Sequence, residues 1–112
     1  MTDSARALLA PELAGRSLSQ RDIVLVHDDA VLALEQLAAA GRRLESWEGW
    51  VQLPAGGRAA SLAHPGSFAL PMDARGAADM ALRGMARAQA VWDRAPEYPG
   101  GTLYFRLTFV PE

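Results

Sequence analysis

The chain has 112 residues, of which 50% are hydrophobic and 21% charged, and its formal net charge is −2. It contains no cysteine, and every one of its basic residues is arginine. These features exclude disulfides, thiolate nucleophiles, cysteine-ligated zinc and lysine Schiff-base chemistry, and they do not favour a nucleic-acid partner.

The N-terminal part of the chain carries weak signals of secondary structure. The length is typical of one domain, so we predict a single domain over residues 1–112, with residues 1–16 as an N-terminal helical extension. Ser4 is a candidate cap for a helix that Pro11 keeps short or makes start later. Residues 23–26 are a short apolar run, which predicts either a buried strand or a lead-in to the next helix.

The absence of long apolar segments bears on location. No run approaches the ~20 apolar residues that a membrane span requires. The first ten residues also lack the basic and apolar regions of a secretory signal. We therefore expect a cytoplasmic protein with no membrane partner.

A helix is predicted over residues 28–40, the first segment with a clear pattern. Asp28 and Asp29 are candidate caps at its start, where negative charge is favourable. Apolar residues recur at helical spacing through the segment, and Gly41 is a natural stop.

Residues 44–53 change to a period of two, which predicts a strand. Trp47, Val51 and Leu53 fall on one face, whereas Leu44 and Trp50 fall on the other. The turn residues 54–57 then lead into a weaker return strand predicted over residues 58–63, and the sequence HPGS of residues 64–67 ends it. Residues 68–71 are expected to be a short extended connection.

The C-terminal half predicts a long helix followed by a strand. Asp73 is a candidate cap for a helix that extends to about Arg94, and its Gly84 would allow close contact with the sheet. Residues 102–110 alternate strongly between apolar and polar side chains. The predicted fold is therefore α+β: a small antiparallel sheet of three to four strands packed against two to three helices, mainly on one face.

Residues able to carry catalysis or bind a metal are few. His27 precedes Asp28 and Asp29, and His64 lies three residues before Ser67, so a serine–histidine–aspartate arrangement is conceivable. However, the sequence has no G-x-S-x-G motif, and neither histidine has a partner at metal-ligand spacing. We predict no catalytic residue, no metal site and no cofactor.

The segment from Trp47 to Trp50 is the most unusual part of the sequence. On a regular strand its two tryptophans point to opposite faces, so Trp47 is expected in the core and Trp50 beside Glu48. By the same parity Glu45 and Glu48 lie on opposite faces. Trp50 is then either an exposed anchor for a protein partner or covered by a helix, and both interpretations stay open.

The order of these segments resembles immunity protein family 40 of bacterial polymorphic toxin systems. The resemblance covers about residues 17–109. It includes the alanine-leucine helix of residues 30–40, the sequence LESWEGWV that follows, the HPGS segment, the long helix ending in Trp92 and the aromatic last strand. It is anchored at residues 49–51 and implies a cytoplasmic inhibitor that binds a toxin and requires no cofactor.

Three hypotheses follow for the function. The first is a toxin-neutralising protein, with Glu45, Glu48, Trp50, His64 and Arg106 as candidate partner-binding residues and a cognate toxin protein as the partner. The second is a homo-oligomer, in its simplest form a homodimer, that pairs through strand edges or the Trp50 face. The third is a small enzyme that uses His64 in a pocket.

Overall fold

A computed structural model gives the fold and describes residues 4–61 and 73–110. In chain order the elements are α1 (Ser4–Ala7), α2 (Pro11–Gly15), β1 (Ile23–Leu25), α3 (His27–Ala39), β2 (Leu44–Gln52), β3 (Arg58–Ala60), α4 (Ala74–Arg94) and β4 (Thr102–Phe109).

The four strands form one antiparallel sheet in the order β1-β4-β2-β3. The last strand of the chain lies in the middle, where Leu107 pairs with Ile23 of β1 and with Trp47 of β2. Residues of α3 and α4 form one hydrophobic core with the face of the sheet that carries Trp47 and Phe105. The predicted α+β fold, with its long helices on one face, is confirmed.

Alternation along β4 explains why it takes the central position. Leu103, Phe105, Leu107 and Phe109 are buried, and the residues between them are half-buried. A strand with neighbours on both sides satisfies all its backbone groups within the sheet, so its apolar face can be buried completely. The side chains between the buried ones, Tyr104, Arg106 and Thr108, lie on the opposite face, which we call the outer face of the sheet.

A β-bulge near the start of β2 corrects the predicted face of Leu44. The register shifts between Leu44 and Ser46, so Glu45 is the extra residue of the strand. A bulge moves the residues before it by one step in the alternation. Leu44 is consequently buried in the core and does not share the face of Trp50, as the regular pattern predicted. The parity argument for Glu45 and Glu48 fails for the same reason, because it requires a regular strand.

The start of α3 also differs from its prediction. The helix begins at His27, its N-cap residue is Val26, and no side chain caps it. Asp28 and Asp29 lie within the first turn, where their charge is favourable next to the exposed amide groups, so the prediction that they cap the helix was wrong. The predicted stop is confirmed, because Gly41 has a φ of 78° and its amide donates to the carbonyl of Ala38.

Asp73 caps α4 as predicted, since its carboxylate accepts a hydrogen bond of 2.7 Å from the amide of Gly76. Further along the helix, Met85 and Trp92 are buried in the core. Gly84 lies against the sheet: a Cβ atom at this position would be 3.0 Å from Cζ2 of Trp47. The predicted close contact between helix and sheet at Gly84 is therefore confirmed.

The contact at Gly84 gives a stability prediction. We expect Gly84→Leu to lower the free energy of unfolding by about 1–2 kcal/mol, because displacing Trp47 outweighs the better helix propensity of leucine. Ala86→Leu, at an exposed position of the same helix, is the matched control and should be neutral or slightly stabilising. Urea denaturation of both variants measures the difference. Equal stabilities would show that Trp47 gives way without cost.

The N-terminal segment is helical in its described part and packs into the same core. Leu9 and Leu13 are buried there. Pro11 is the first residue of α2, where the missing amide hydrogen is harmless. The guanidinium of Arg6 donates to the carbonyl of Ser19 at 3.1 Å and to that of Asp22 at 3.3 Å. Arg6 therefore connects α1 to the loop that precedes β1.

The return strand β3 ends at Ala60 and lies next to β2 in the sheet, and residues 62 and 63 of its predicted range are outside the described residues. Ala60 pairs with Trp50, and Arg58 pairs with Gln52. The predicted break at residues 64–67 and the predicted connection over residues 68–71 lie outside the described residues.

Candidate interaction surface on the outer face of the sheet

Three of the five predicted partner-binding residues meet on the outer face. Glu48 of β2 and Arg106 of β4 are directly paired in the register, and Trp50 pairs with Tyr104 one step along the same face. All four side chains are half-buried. The alternation of the two strands and their antiparallel register are sufficient to bring them together.

The carboxylate of Glu48 holds this group together. Its Oε1 atom accepts a hydrogen bond of 3.1 Å from the indole Nε1 of Trp50 and one of 2.9 Å from Nη1 of Arg106. The indole therefore has its polar hydrogen satisfied and its orientation fixed by a neighbour on the same strand. A charged acceptor makes both hydrogen bonds stronger than neutral ones.

Arg106 is held from a second side by the loop before β1. Its Nη2 atom lies 3.5 Å from Oδ1 of Asp22. The hydrogen bond to Glu48 and the charge of Asp22 raise the pKa of Arg106, while partial burial acts in the opposite direction. The guanidinium thus stays charged and is neutralised by two carboxylates.

The Trp50 ring has arginines on its neighbouring strands. The guanidinium carbon of Arg58 lies 5.5 Å from the ring centroid, and that of Arg106 lies 5.9 Å away. Both distances are within the range of a cation–π interaction. Trp50 is neither fully exposed nor covered by α3 or α4, whose core lies on the opposite face.

A shallow depression of about 340 Å³ adjoins the tryptophan. Its lining consists of Trp50, Arg58, Ala59 and Ala60. The described lining is mostly apolar, and Arg58 adds a positive charge to it. We call Glu48, Trp50, Arg58, Tyr104 and Arg106 the Trp50 surface.

The other two predicted site residues do not join this group. Glu45 is exposed at the bulge, and none of the contacts that connect Glu48, Trp50 and Arg106 includes it. His64 lies outside the described residues, so its place in the site stays a prediction.

Three residues of this arrangement, Arg58, Tyr104 and Asp22, were not predicted as site residues from the sequence. Arg58 and Tyr104 were assigned to the return strand and the last strand without a role in the site, and Asp22 was assigned to no element. The signal for Arg58 was present, because a hairpin that closes at residues 54–57 places position 58 close to Trp50 across the two strands. No local pattern marks Asp22, which reaches Arg106 only through the folded loop.

A second concave region lies at the end of the sheet, around His27. This cleft of about 380 Å³ is lined in part by His27, Asp28, Gln89, Trp92 and Asp93. The His27 ring packs edge-on against Phe105 at 5.9 Å between centroids.

The polar atoms of His27 form no hydrogen bond with the neighbouring carboxylate. Its Nδ1 atom is 3.7 Å from Oδ1 of Asp28, which is too long for a hydrogen bond. Its Nε2 atom is buried and has no hydrogen-bond partner among the described residues. The packing against Phe105 gives the ring a role in the core.

Among the described residues, no cluster of three or more histidine, cysteine, aspartate or glutamate side chains could hold a metal ion. No helix within residues 4–61 and 73–110 is long and apolar enough to cross a membrane.

Comparison with protein-family models, with curated proteins and with solved structures gives no match.

Proposed function

We propose that this protein is an immunity protein that binds a cognate bacterial toxin domain through the Trp50 surface and neutralises it by contact alone. The observation that carries the proposal is the fixed, half-buried indole of Trp50 on the face of the sheet opposite α3 and α4. Tryptophan and arginine are the residue types most often found at the energetic centre of protein interfaces.

The geometry of the Trp50 surface favours binding in a second way. Association costs free energy when side chains must be ordered, and a side chain already held in one orientation avoids much of that cost. Glu48 accepts a hydrogen bond from Trp50 and another from Arg106, so it holds both side chains in place. A partner would therefore meet an aromatic face with its polar edge already satisfied.

The toxin as partner rests on the resemblance to immunity protein family 40, which also implies a cytoplasmic location and no cofactor. The structure is compatible with that mode of action, because inhibition by contact requires only a complementary surface. A homodimer through the same surface or through the β3 edge is the alternative.

A protection experiment tests the proposal. The product of the gene adjacent to this one is expressed in a host cell with and without the present chain, and growth is recorded. We expect the neighbouring product to arrest growth alone, the chain to restore it, and the two proteins to form a one-to-one complex by light scattering. A toxic neighbour that neither binds this chain nor is relieved by it would contradict the proposal.

A further inference from the structure

Arg58 is an unneutralised charge within the Trp50 surface. It is exposed on β3, and its contacts are the Trp50 ring at 5.5 Å and the carbonyl of Leu18 at 3.4 Å. No carboxylate lies within salt-bridge distance of it in the part of the chain that the structure describes. By contrast, Arg106 forms ion pairs with Glu48 and Asp22.

The hydrogen-bonding capacity of Arg58 is largely unused. A guanidinium has five N–H donors, and the carbonyl of Leu18 takes one of them through a long hydrogen bond. The remaining donors match the two oxygens of a carboxylate, which arginine binds through two parallel hydrogen bonds. Contact with the Trp50 ring limits where the guanidinium can lie, which favours a geometrically defined partner.

The surrounding charges select a single carboxylate over a polyanion. Glu48 and Asp22 lie next to Arg106 on the same face, and the chain as a whole has a net charge of −2. A nucleic-acid strand that placed one phosphate at Arg58 would bring neighbouring phosphates close to these carboxylates, which would repel them. Nucleic-acid binding depends on neutralising many phosphates together, which this surface does not offer.

The hollow beside Arg58 supplies the second recognition element. Trp50, Ala59 and Ala60 line it with apolar atoms, and its volume of about 340 Å³ is enough for a side chain. A residue that enters the hollow would place its chain neighbours close to Arg58.

From these observations we infer that the partner of the Trp50 surface presents an acidic side chain to Arg58 and an adjacent apolar side chain to the hollow beside Trp50. This inference rests on the proposed function in taking the Trp50 surface as the binding site, and it adds the chemistry of the toxin segment bound there.

A peptide selection tests the inference without any knowledge of the toxin. The probe is a random dodecapeptide library displayed on phage, selected on the full chain and, in parallel, on the Arg58→Glu variant. We expect peptides enriched on the wild type to carry an excess of aspartate or glutamate beside an apolar residue, and this excess to vanish on Arg58→Glu. Enrichment of no peptide, or of peptides without an acidic excess, would overturn the inference.

Affinities of the selected peptides refine the test. Arg58→Lys keeps the charge but loses the paired hydrogen bonds, so we expect binding about tenfold weaker. Arg58→Glu should weaken it about a hundredfold, because two carboxylates would then face each other. Arg87→Glu, an equal charge reversal at an exposed position of α4, is the control and should change affinity no more than about twofold.

The outcomes separate the inference from the proposed function. Acidic peptides that depend on Arg58, together with a neighbouring gene product that does not bind, would support the chemistry of the surface and refute the toxin. A bound toxin whose affinity is unchanged by Arg58→Glu would refute the inference and leave the proposed function intact. A self-associating chain that loses its dimer in Arg58→Glu, or a bound oligonucleotide, would assign the surface to a different partner and overturn the inference.

Discussion

Replacement of Phe105 by alanine should lower the free energy of unfolding by about 3–5 kcal/mol. Phe105 is fully buried at the centre of β4, where it pairs with Leu25 of β1 and with Gly49 of β2. Its ring meets Trp47 edge-on at 5.5 Å and His27 at 5.9 Å. The change would leave a cavity between these two rings. Since small domains have about 5–15 kcal/mol in total, this one change would remove much of the stability.

Urea denaturation followed by tryptophan fluorescence measures this effect. Phe105→Leu keeps most of the buried volume and should cost about 1.5 kcal/mol or less. Tyr104→Ala, the next residue on the outer face, should cost less than Phe105→Ala because Tyr104 is only half-buried. If Phe105→Ala and Tyr104→Ala were equally destabilising, the assignment of the two faces of β4 would be wrong.

Much of the fold could be predicted from the sequence because its main elements have strong periodicity. The alternation over residues 102–110 identified β4, and the helical spacing that ends at Trp92 identified α4. In both cases burial of one face determines the local structure, and the burial pattern is written in the residue types. Asp73 and Gly41 mark helix ends by their own chemistry, so those boundaries were also accessible.

The errors arose where tertiary structure overrides a local pattern. The bulge at Glu45 depends on how β2 meets β4, and nothing in the residues around Leu44 requires it. Asp28 was a reasonable cap by residue type, but the helix starts one residue earlier, at His27, whose ring packs against Phe105.

The candidate site could be predicted only in part from the sequence, for a related reason. Parity placed Glu48 and Trp50 together, because both belong to one strand. Their contact with Arg106 depends on the register between β2 and β4, which the sequence does not state. Arg58 could have been placed near Trp50 from the predicted hairpin, whereas Asp22 reaches Arg106 from a loop whose residues have no periodicity that could reveal it.

The largest functional effect is expected for Trp50→Ala in the proposed complex with a toxin. Removing an aromatic side chain from the centre of an interface typically costs about 2–4 kcal/mol of binding free energy. This cost raises the dissociation constant on the order of 30- to 1000-fold. The fold should survive, because Trp50 is half-buried and Glu48 keeps its hydrogen bond to Arg106. Calorimetric titration gives the affinity, and a denaturation curve of the free variant confirms that it is folded.

Two further variants separate the contributions of the Trp50 side chain. Trp50→Phe keeps an aromatic ring beside Arg58 but removes the hydrogen bond to Glu48. Its affinity should therefore lie between that of the wild type and that of Trp50→Ala. Val91→Ala removes an exposed apolar side chain from α4 and should leave the affinity unchanged within about twofold. If Trp50→Ala bound as tightly as Val91→Ala, the toxin would contact another part of the chain. An intermediate value for Trp50→Phe would instead show that the aromatic ring alone supplies part of the affinity, the rest coming from the larger indole and its hydrogen bond to Glu48.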